Sequence, residues 1–508
     1  MRKTKRFLLN TCILTGSTLL LQLIAVFFNA YLSRKIGSSG VGLYQLILSV
    51  YSFAVTLASS GIKLATTRLI VEADTKHPPE SAKAVMRRCL GYACCFGLLA
   101  GTALFCGAEF ISEHWLRDAR TLLSLRILAC SLPFLAMSSS LCGYFTAVRK
   151  VSRFAGTQMA EQLLRITVTV GILTVLLPKG LTWACAAVAI GACCGELTSF
   201  VGLFCLYRME LARTKDQASA RPKKPLRRLL SIAIPDAVSS YARSALVTIE
   251  HLLIPTGLKK AGATSEGALA AYGVVQGMVL PVILFPSALF NAMANLLIPE
   301  IAEYYENKQF QKIDTVVTKV LRTTFLFSIG VTGVLFCFSD ELGMAIYHNE
   351  AASHYIRMLA PVVPVMYADT AVDGVLKGMG QQVSSMRYNI IDASVSVALV
   401  YVLLPRFAIE GYIITIFVTE ILNFYLSVGK LVSITSFHLN ILDAVCKPLF
   451  CITGCVAVMQ LILRIGLTNA PMGLLAVLGI GGSLVLYAMV LRIFVPEGTK
   501  DLIRLVKA

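Results

Sequence analysis

Charge is scarce in this chain of 508 residues: 15% are Asp, Glu, Lys or Arg, against 56% hydrophobic. Soluble globular chains carry about 25% charged residues. A chain this long with so little charge cannot clothe a folded globule in polar surface, which excludes a soluble enzyme and a disordered protein. The six histidines are scattered and form no site. The 15 cysteines make no C-x-x-C pair and no Cys/His cluster with zinc spacing; Cys94-Cys95, Cys193-Cys194 and Cys451/Cys455 lie in apolar runs. There a thiol acts as a small hydrophobe. No disulfide framework, metal site or cofactor is therefore expected. The period-2 alternation of a membrane β-barrel is also missing, because the apolar runs are continuous over about twenty residues.

What the chain has in abundance is apolar runs of that length. The expected fold is an all-α polytopic membrane protein with about 14 spans, at 7–32, 43–70, 89–111, 121–147, 157–177, 182–207, 229–256, 268–298, 316–338, 354–376, 388–404, 409–430, 443–464 and 471–493. The first run resembles a signal peptide in its basic start, Arg2 to Arg6, but it is too long for an h-region and ends at Tyr31-Leu-Ser-Arg34 without a small-residue cleavage site. It reads as an uncleaved helix.

The net charge of +18 points to loops facing anionic membrane lipid rather than to nucleic acid. With the N-terminus inside, 31 loop cations fall on the cytoplasmic side and nine on the other. The expectation is a plasma-membrane protein with both termini cytoplasmic.

The chain repeats itself. Leu125-Arg-Ile-Leu-Ala129 with Pro133 and Gly143 recurs 231 residues later as Ile356-Arg-Met-Leu-Ala360 with Pro364 and Gly374, and Glu161 meets Asp392 at the same offset. The expected organisation is an N-lobe (1–207), a basic cytoplasmic linker (208–228), a C-lobe (229–432) and an appended helix pair with a cytoplasmic tail (433–508). Six spans per lobe make the repeats parallel and imply alternating access. No filter-like segment supports a channel.

Three motifs carry a resemblance. They are Ile36-Gly-Ser-Ser-Gly-Val-Gly-Leu-Tyr-Gln45; Leu280-Pro-Val-Ile-Leu-Phe-Pro-Ser287 with Leu297-Ile-Pro-Glu300; and Asp373-Gly-Val-Leu-Lys-Gly-Met-Gly-Gln-Gln382 with Tyr388-Asn389. Over about residues 7–495 the chain resembles the stage V sporulation protein B family of the multidrug/oligosaccharidyl-lipid/polysaccharide (MOP) exporter superfamily. The resemblance implies a flippase, not an enzyme, for an undecaprenyl-linked oligosaccharide such as a lipid II-type peptidoglycan precursor of cell wall or spore cortex. Cell-wall synthases are implied partners. Related lipid II flippases place arginines in the first helix and the cavity; here span 1 has no charge between Arg6 and Arg34, and span 8 none between Glu266 and Glu300. The alternative is a cation-coupled multidrug or metabolite exporter of the same superfamily, although the acids such exporters carry in helices 1 and 8 are missing. A membrane-embedded glycosyltransferase would need a larger external loop than 339–353.

Ionisable groups at membrane depth are functional candidates. Asp236, Arg243 and Glu250 recur every seven residues on span 7 and share one face. With Lys63 on span 2 they form the expected substrate-binding set, Arg243 receiving the pyrophosphate. Asp369 and Asp373, one turn apart, and Glu196 and Glu420, in comparable spans of the two lobes, are the candidates for proton coupling. Glu161 and Arg165 are placed for a local ion pair.

Overall fold

The computed structural model describes residues 2–75, 82–148, 150–213, 225–466 and 472–496; within these, the side chains of 2–15, 73–75, 151–152, 213, 225–236, 292–293, 295–296, 464, 466 and 472 are left aside. Every regular element among the described residues is helical. The helices are α1 (Arg2–Ser59), α2 (Ile62–Thr75), α3 (Ala82–Phe110), α4 (Leu122–Ala129), α5 (Leu132–Ala147), α6 (Val151–Leu176), α7 (Leu181–Arg213), α8 (Pro225–Lys260), α9 (Ser265–Gly273), α10 (Leu280–Leu284), α11 (Ala288–Glu306), α12 (Phe310–Cys337), α13 (Ser339–Leu342), α14 (Glu350–Leu359), α15 (Val363–Gly378), α16 (Gln382–Ile434), α17 (Lys447–Gly466) and α18 (Met472–Phe494). In the bilayer every backbone polar group must be satisfied within its own segment, and a helix does this.

Ten of the described helical stretches are long and apolar enough to cross a membrane, or eleven with the pair Ala119–Ala129 and Leu132–Ala147, bent by 44°. Two of these stretches, Gly16–Glu72 with 57 residues and Gln382–Ile434 with 53, each cover two of the expected fourteen spans. Two expected connections shrink to a single non-helical residue, Gly37 (φ 73°) inside α1 and Ala408 (φ 50°) inside α16. The glycine-rich signature 36–45 is therefore helical apart from Gly37. Pro405, three residues before Ala408, lacks the N–H that a continuous helix needs. The expected span 43–70 is broken in turn at Gly61, whose φ of +74° admits few residues with a side chain.

The chain divides into two compact units, one formed by Ser39–Pro255, the other by Met1–Ser38 with Thr256–Ala508. The first segment of α1 thus packs with the second half of the chain, and α8 as far as Pro255 with the first.

In the Ser39–Pro255 unit, α2, α3, α5 and α7 converge on Met86, Cys89, Leu141, Phe145 and Leu203, all buried. Lipid tails are as apolar as leucine, so helices in a membrane associate through close van der Waals fit and small residues. A β-carbon on Gly97 would stand 2.7 Å from the Pro133 Cα, and one on Gly191 2.9 Å from the Arg165 carbonyl oxygen. The second unit uses the same device. The appended pair α17–α18 clasps α12: a β-carbon on Gly330 would reach the Tyr487 ring at 2.7 Å, and the Tyr487 hydroxyl donates to the Leu326 carbonyl at 2.8 Å.

The sequence repeat is a structural repeat, and it extends to backbone details. The rare left-handed residues Arg117 (φ 52°) and His348 (φ 54°) are 231 apart. Each is followed by an N-cap, Asp118 accepting from the Arg120 N–H and Asn349 from the Ala352 N–H. Each unit then pairs an arginine with an acid seventeen residues earlier: Arg126 with Glu109 at 3.4 Å, Arg357 with Asp340 at 2.6 Å. Gly143 admits close approach of the Lys63 carbonyl and Gly374 that of Ala294, and 63 and 294 are again 231 apart.

Candidate functional site

Of the charged positions on α8, Arg243 lies on the side of the helix turned away from α1. Tyr241, Ser244 and Thr248 hold α8 onto α1: the Tyr241 hydroxyl donates to Leu57 O at 3.2 Å, Ser244 Oγ to Thr56 Oγ1 at 3.1 Å, and Thr248 Oγ1 to Ser49 O at 3.2 Å. At 3.6 residues per turn, positions 236, 243 and 250 lie roughly 130° around the helix from that face. Arg243 is exposed and Glu250 half-buried. Among the described residues no carboxylate stands within ion-pair distance of Arg243. The Asp236 side chain falls outside the described residues.

Lys63 occupies the first turn of α2, just after the break at Gly61. It is exposed, with its ammonium 5.7 Å from the Phe154 ring centroid. A ring face stabilises a cation without neutralising it.

The acids proposed for coupling fall into two clusters. In the Ser39–Pro255 unit the Arg165 guanidinium joins Glu161 Oε1 at 3.0 Å and Glu196 Oε1 at 3.5 Å. One cation between two carboxylates leaves a formal charge of −1 when both are ionised. Gly195 makes room for this on α7: a β-carbon there would lie 3.3 Å from the Arg165 side chain. Tyr51 and Ser131 share a 2.7 Å hydrogen bond.

The second cluster lies between α15 and α16. Asp373 is bound by Lys377 Nζ at 2.5 Å and accepts from Ser385 Oγ. Among the described residues Asp369 has no ion-pair partner; Asn423 Nδ2 donates to its Oδ2 at 2.9 Å, and its Oδ1 is buried with no hydrogen-bond partner among them. The two aspartates, equivalent by spacing, are thus unlike in chemistry: one is neutralised by its own helix, the other held by a neutral amide. Glu420 is half-buried on α16.

Sequence reasoning did not anticipate an apolar cleft in the second unit. Its volume is about 940 Å³, and its walls are the first segment of α1 (Leu23, Phe27), the α10–α11 region (Val282, Phe285), α12 (Phe327, Val331) and α18 (Val477, Leu484). One cation lines it, Arg34, whose guanidinium donates to the carbonyls of Ala345 and Ile346 at 3.1 and 3.0 Å. Those carbonyls close the helical turn Gly343–Tyr347, so Arg34 caps it while tying α1 to the cleft wall. A signal for Arg34 was present: it is the first charge after 27 uncharged residues. Nothing in the periodicity told that α1 packs beside α12 and α18.

Comparisons with known proteins agree with this architecture. Residues 7–304 match the family model described as polysaccharide biosynthesis protein, and 260–402 match the MatE model. The chain is 27% identical over 405 residues to stage V sporulation protein B of Bacillus subtilis, covering 79% of this chain and 78% of that protein. Sporulation protein YkvU of the same organism is 22% identical over 407 residues, covering 78% and 88%. Among solved structures, the lipid II flippase MurJ in an inward closed conformation superposes with a TM-score of 0.72 at 12% identity, covering 96% of this chain and 99% of that one. An inward-facing multidrug resistance MATE family transporter of the MOP superfamily gives 0.60 at 13% identity, covering 83% and 98%. The apolar spans and the family match over more than half the chain lead to one assignment: this multi-pass membrane protein belongs to the polysaccharide biosynthesis protein family, within the MOP superfamily.

Proposed function

We propose that the protein is a flippase for an undecaprenyl-linked oligosaccharide, a lipid II-type precursor of cell wall or spore cortex, and that it acts by alternating access in the bacterial plasma membrane with both termini cytoplasmic. The observation that carries this reading is the cleft of about 940 Å³, mostly apolar and lined, among the described residues, by one cation, Arg34. A drug-sized cation needs acids in its pocket; an isoprenoid tail needs apolar wall and no charge. The relatives point the same way, through a sporulation protein and a lipid II flippase.

The division of labour follows from the cargo. The tail occupies the cleft. The pyrophosphate is a dianion that cannot enter low dielectric unpaired, so it is received by a cation that its own unit leaves exposed. Arg243 fits this role, with Lys63 as a second contact and with Asp236 and Glu250, at the same register on α8, completing the proposed binding set. An arginine can grip two phosphate oxygens through its planar fork. Asp369, Asp373, Glu196 and Glu420 are the proposed coupling acids, Asp369 foremost because it has no ion-pair partner among the described residues.

The MatE match over 260–402 supports the second reading, a cation-coupled multidrug or metabolite exporter. One experiment separates them. The purified chain in sealed vesicles is given labelled lipid-linked disaccharide, or drug cations under a proton gradient. Exposure of the disaccharide on the far leaflet, without drug uptake, is the expected result. Drug uptake without lipid translocation replaces the reading with the alternative.

A further inference from the structure

The polar groups of the apolar cleft stand at one end of it. Along α1 its wall runs from Leu19 to Arg34 at helical spacing, so these side chains share one face. At 1.5 Å per residue that wall is about 22 Å long. Of the described residues that line the cleft, Tyr31 and Arg34 alone carry polar side-chain atoms. They are three positions apart and so neighbours on the helix surface.

The hydrogen bonds of Arg34 hold its position and leave its charge intact. Its Nη2 donates to the carbonyls of Ala345 and Ile346, and a neutral acceptor orients a guanidinium without cancelling it. The donors on Nε and Nη1 are left for a ligand. The side chain is exposed, and among the described residues no carboxylate stands within ion-pair distance of it. A fixed positive charge thus closes one end of an apolar groove. A guanidinium with spare N–H groups binds an oxyanion through charge-assisted hydrogen bonds.

The length of the groove selects the amphiphile. The acyl chains of one leaflet fill half of a hydrocarbon core about 30 Å thick, or about 15 Å. A wall of about 22 Å along α1 is longer than that and suits a polyprenyl chain. The loop cations place Arg34, where the first span ends, on the outer side of the membrane. A phosphate held there belongs to a lipid whose head has already crossed.

We propose that Arg34 receives the pyrophosphate of the cargo at the outer face, while the isoprenoid tail lies along the cleft toward Leu19. The inference rests on the flippase reading and gives the translocated cargo a phosphate contact of its own. To test it, the full-length protein carries Lys63→Ala and Arg243→Ala, so that the other proposed phosphate contacts do not contribute. In neutral detergent it is titrated with undecaprenyl pyrophosphate, with undecaprenol, which has the same tail without the charge, with phosphatidylglycerol and with inorganic pyrophosphate. Binding is read by native mass spectrometry. Undecaprenyl pyrophosphate is expected to bind about tenfold more tightly than undecaprenol and more tightly than phosphatidylglycerol, and inorganic pyrophosphate should not displace it.

Arg34→Gln, whose amide can still donate to a carbonyl, should erase the preference for the pyrophosphate and leave undecaprenol binding unchanged. Arg34→Lys should keep most of the preference. Should Arg34→Gln accumulate poorly, Tyr31→Glu takes its place: a carboxylate one turn before the guanidinium should cancel its charge and erase the same preference. Gly481→Phe, on the cleft wall where a β-carbon meets nothing within 4 Å, should weaken both polyprenyl ligands alike. A preference that survives Arg34→Gln or Tyr31→Glu overturns the proposal. So does phosphatidylglycerol binding equal to that of undecaprenyl pyrophosphate, or full displacement by inorganic pyrophosphate. The flippase reading is judged separately in vesicles: failure of the parent protein to move the disaccharide ends that reading, and with it the identity of the cargo at Arg34, whereas normal movement with an unaltered preference in Arg34→Gln ends this inference alone.

Discussion

The two compact units repeat each other in backbone and differ in charge. At an offset of 231 residues they share a left-handed residue, an N-cap, an arginine–acid pair and a glycine against which the preceding helix closes. At the same offset Lys63 answers to Ala294, Arg165 to Ser396, Glu196 to Ser427 and Asp369 to Ser138. The comparison teaches that duplication preserves what backbone geometry demands. It leaves free which side chains occupy the polar positions. Each unit has then built its own charged cluster, Glu161–Arg165–Glu196 in one and Asp369 beside Asp373–Lys377 in the other.

The sharpest test of that contrast is to remove the cation of the first cluster. Arg165→Met leaves two carboxylates facing each other at membrane depth and should cost about 3 kcal/mol of stability, read by denaturant or thermal unfolding in detergent. Converting Glu161 and Glu196 to Gln in the same chain should restore most of it. Ser396→Ala, at the equivalent position, should stay within about 0.5 kcal/mol. Equal losses at 165 and 396 would dissolve the distinction between the clusters.

In the second cluster the contrast lies within one helix. Asp369→Asn should abolish any response of transport to a proton gradient, while Asp373→Asn, which removes a charge already met by Lys377, should preserve it. Identical responses in the two variants would show that neither acid carries the coupling.

A smaller effect compares the matched glycines. Gly143→Ala and Gly374→Ala should each cost about 1–3 kcal/mol through overpacking. Their rescue should differ. The new methyl at 374 meets the Ala294 Cβ, so Ala294→Gly should relieve it; at 143 it meets the backbone oxygen of Lys63, which no truncation removes. The smallest effect belongs to the paired arginines in the last turns of α4 and α14. Exposed ion pairs contribute at most about 1 kcal/mol, so Arg126→Gln and Arg357→Gln should shift unfolding only slightly. Arg357 should show more, since its Nε also donates to Ser339 Oγ at 3.0 Å, where position 108 of the other unit is an alanine.

The fold was legible in the sequence because membrane helices announce themselves by length and because the repeat survives as residue identities such as Leu-Arg-Ile-Leu-Ala against Ile-Arg-Met-Leu-Ala. What the sequence concealed is how short two connections are: at Gly37 and Ala408 one residue suffices for a bend that sequence reasoning assigns to a loop. The ion pairs legible in advance were those at i, i+4: Glu161 with Arg165, and Asp373 with Lys377. Glu196 joins Arg165 across 31 residues and Asn423 reaches Asp369 across 54; no spacing rule encodes either, because helix neighbours in the bilayer are chosen by surface fit. The cleft was invisible for the same reason.

The account rests most heavily on Arg243 as the cation that meets the pyrophosphate. In vesicles carrying labelled lipid-linked disaccharide, the parent protein, Arg243→Lys and Arg243→Ala are to be compared for the rate at which the sugar reaches the far leaflet, each at matched amounts of folded protein. The account predicts normal translocation by the parent, partial translocation by Arg243→Lys, which keeps the charge without the fork, and none by Arg243→Ala. Translocation at the parent rate by Arg243→Ala would contradict it.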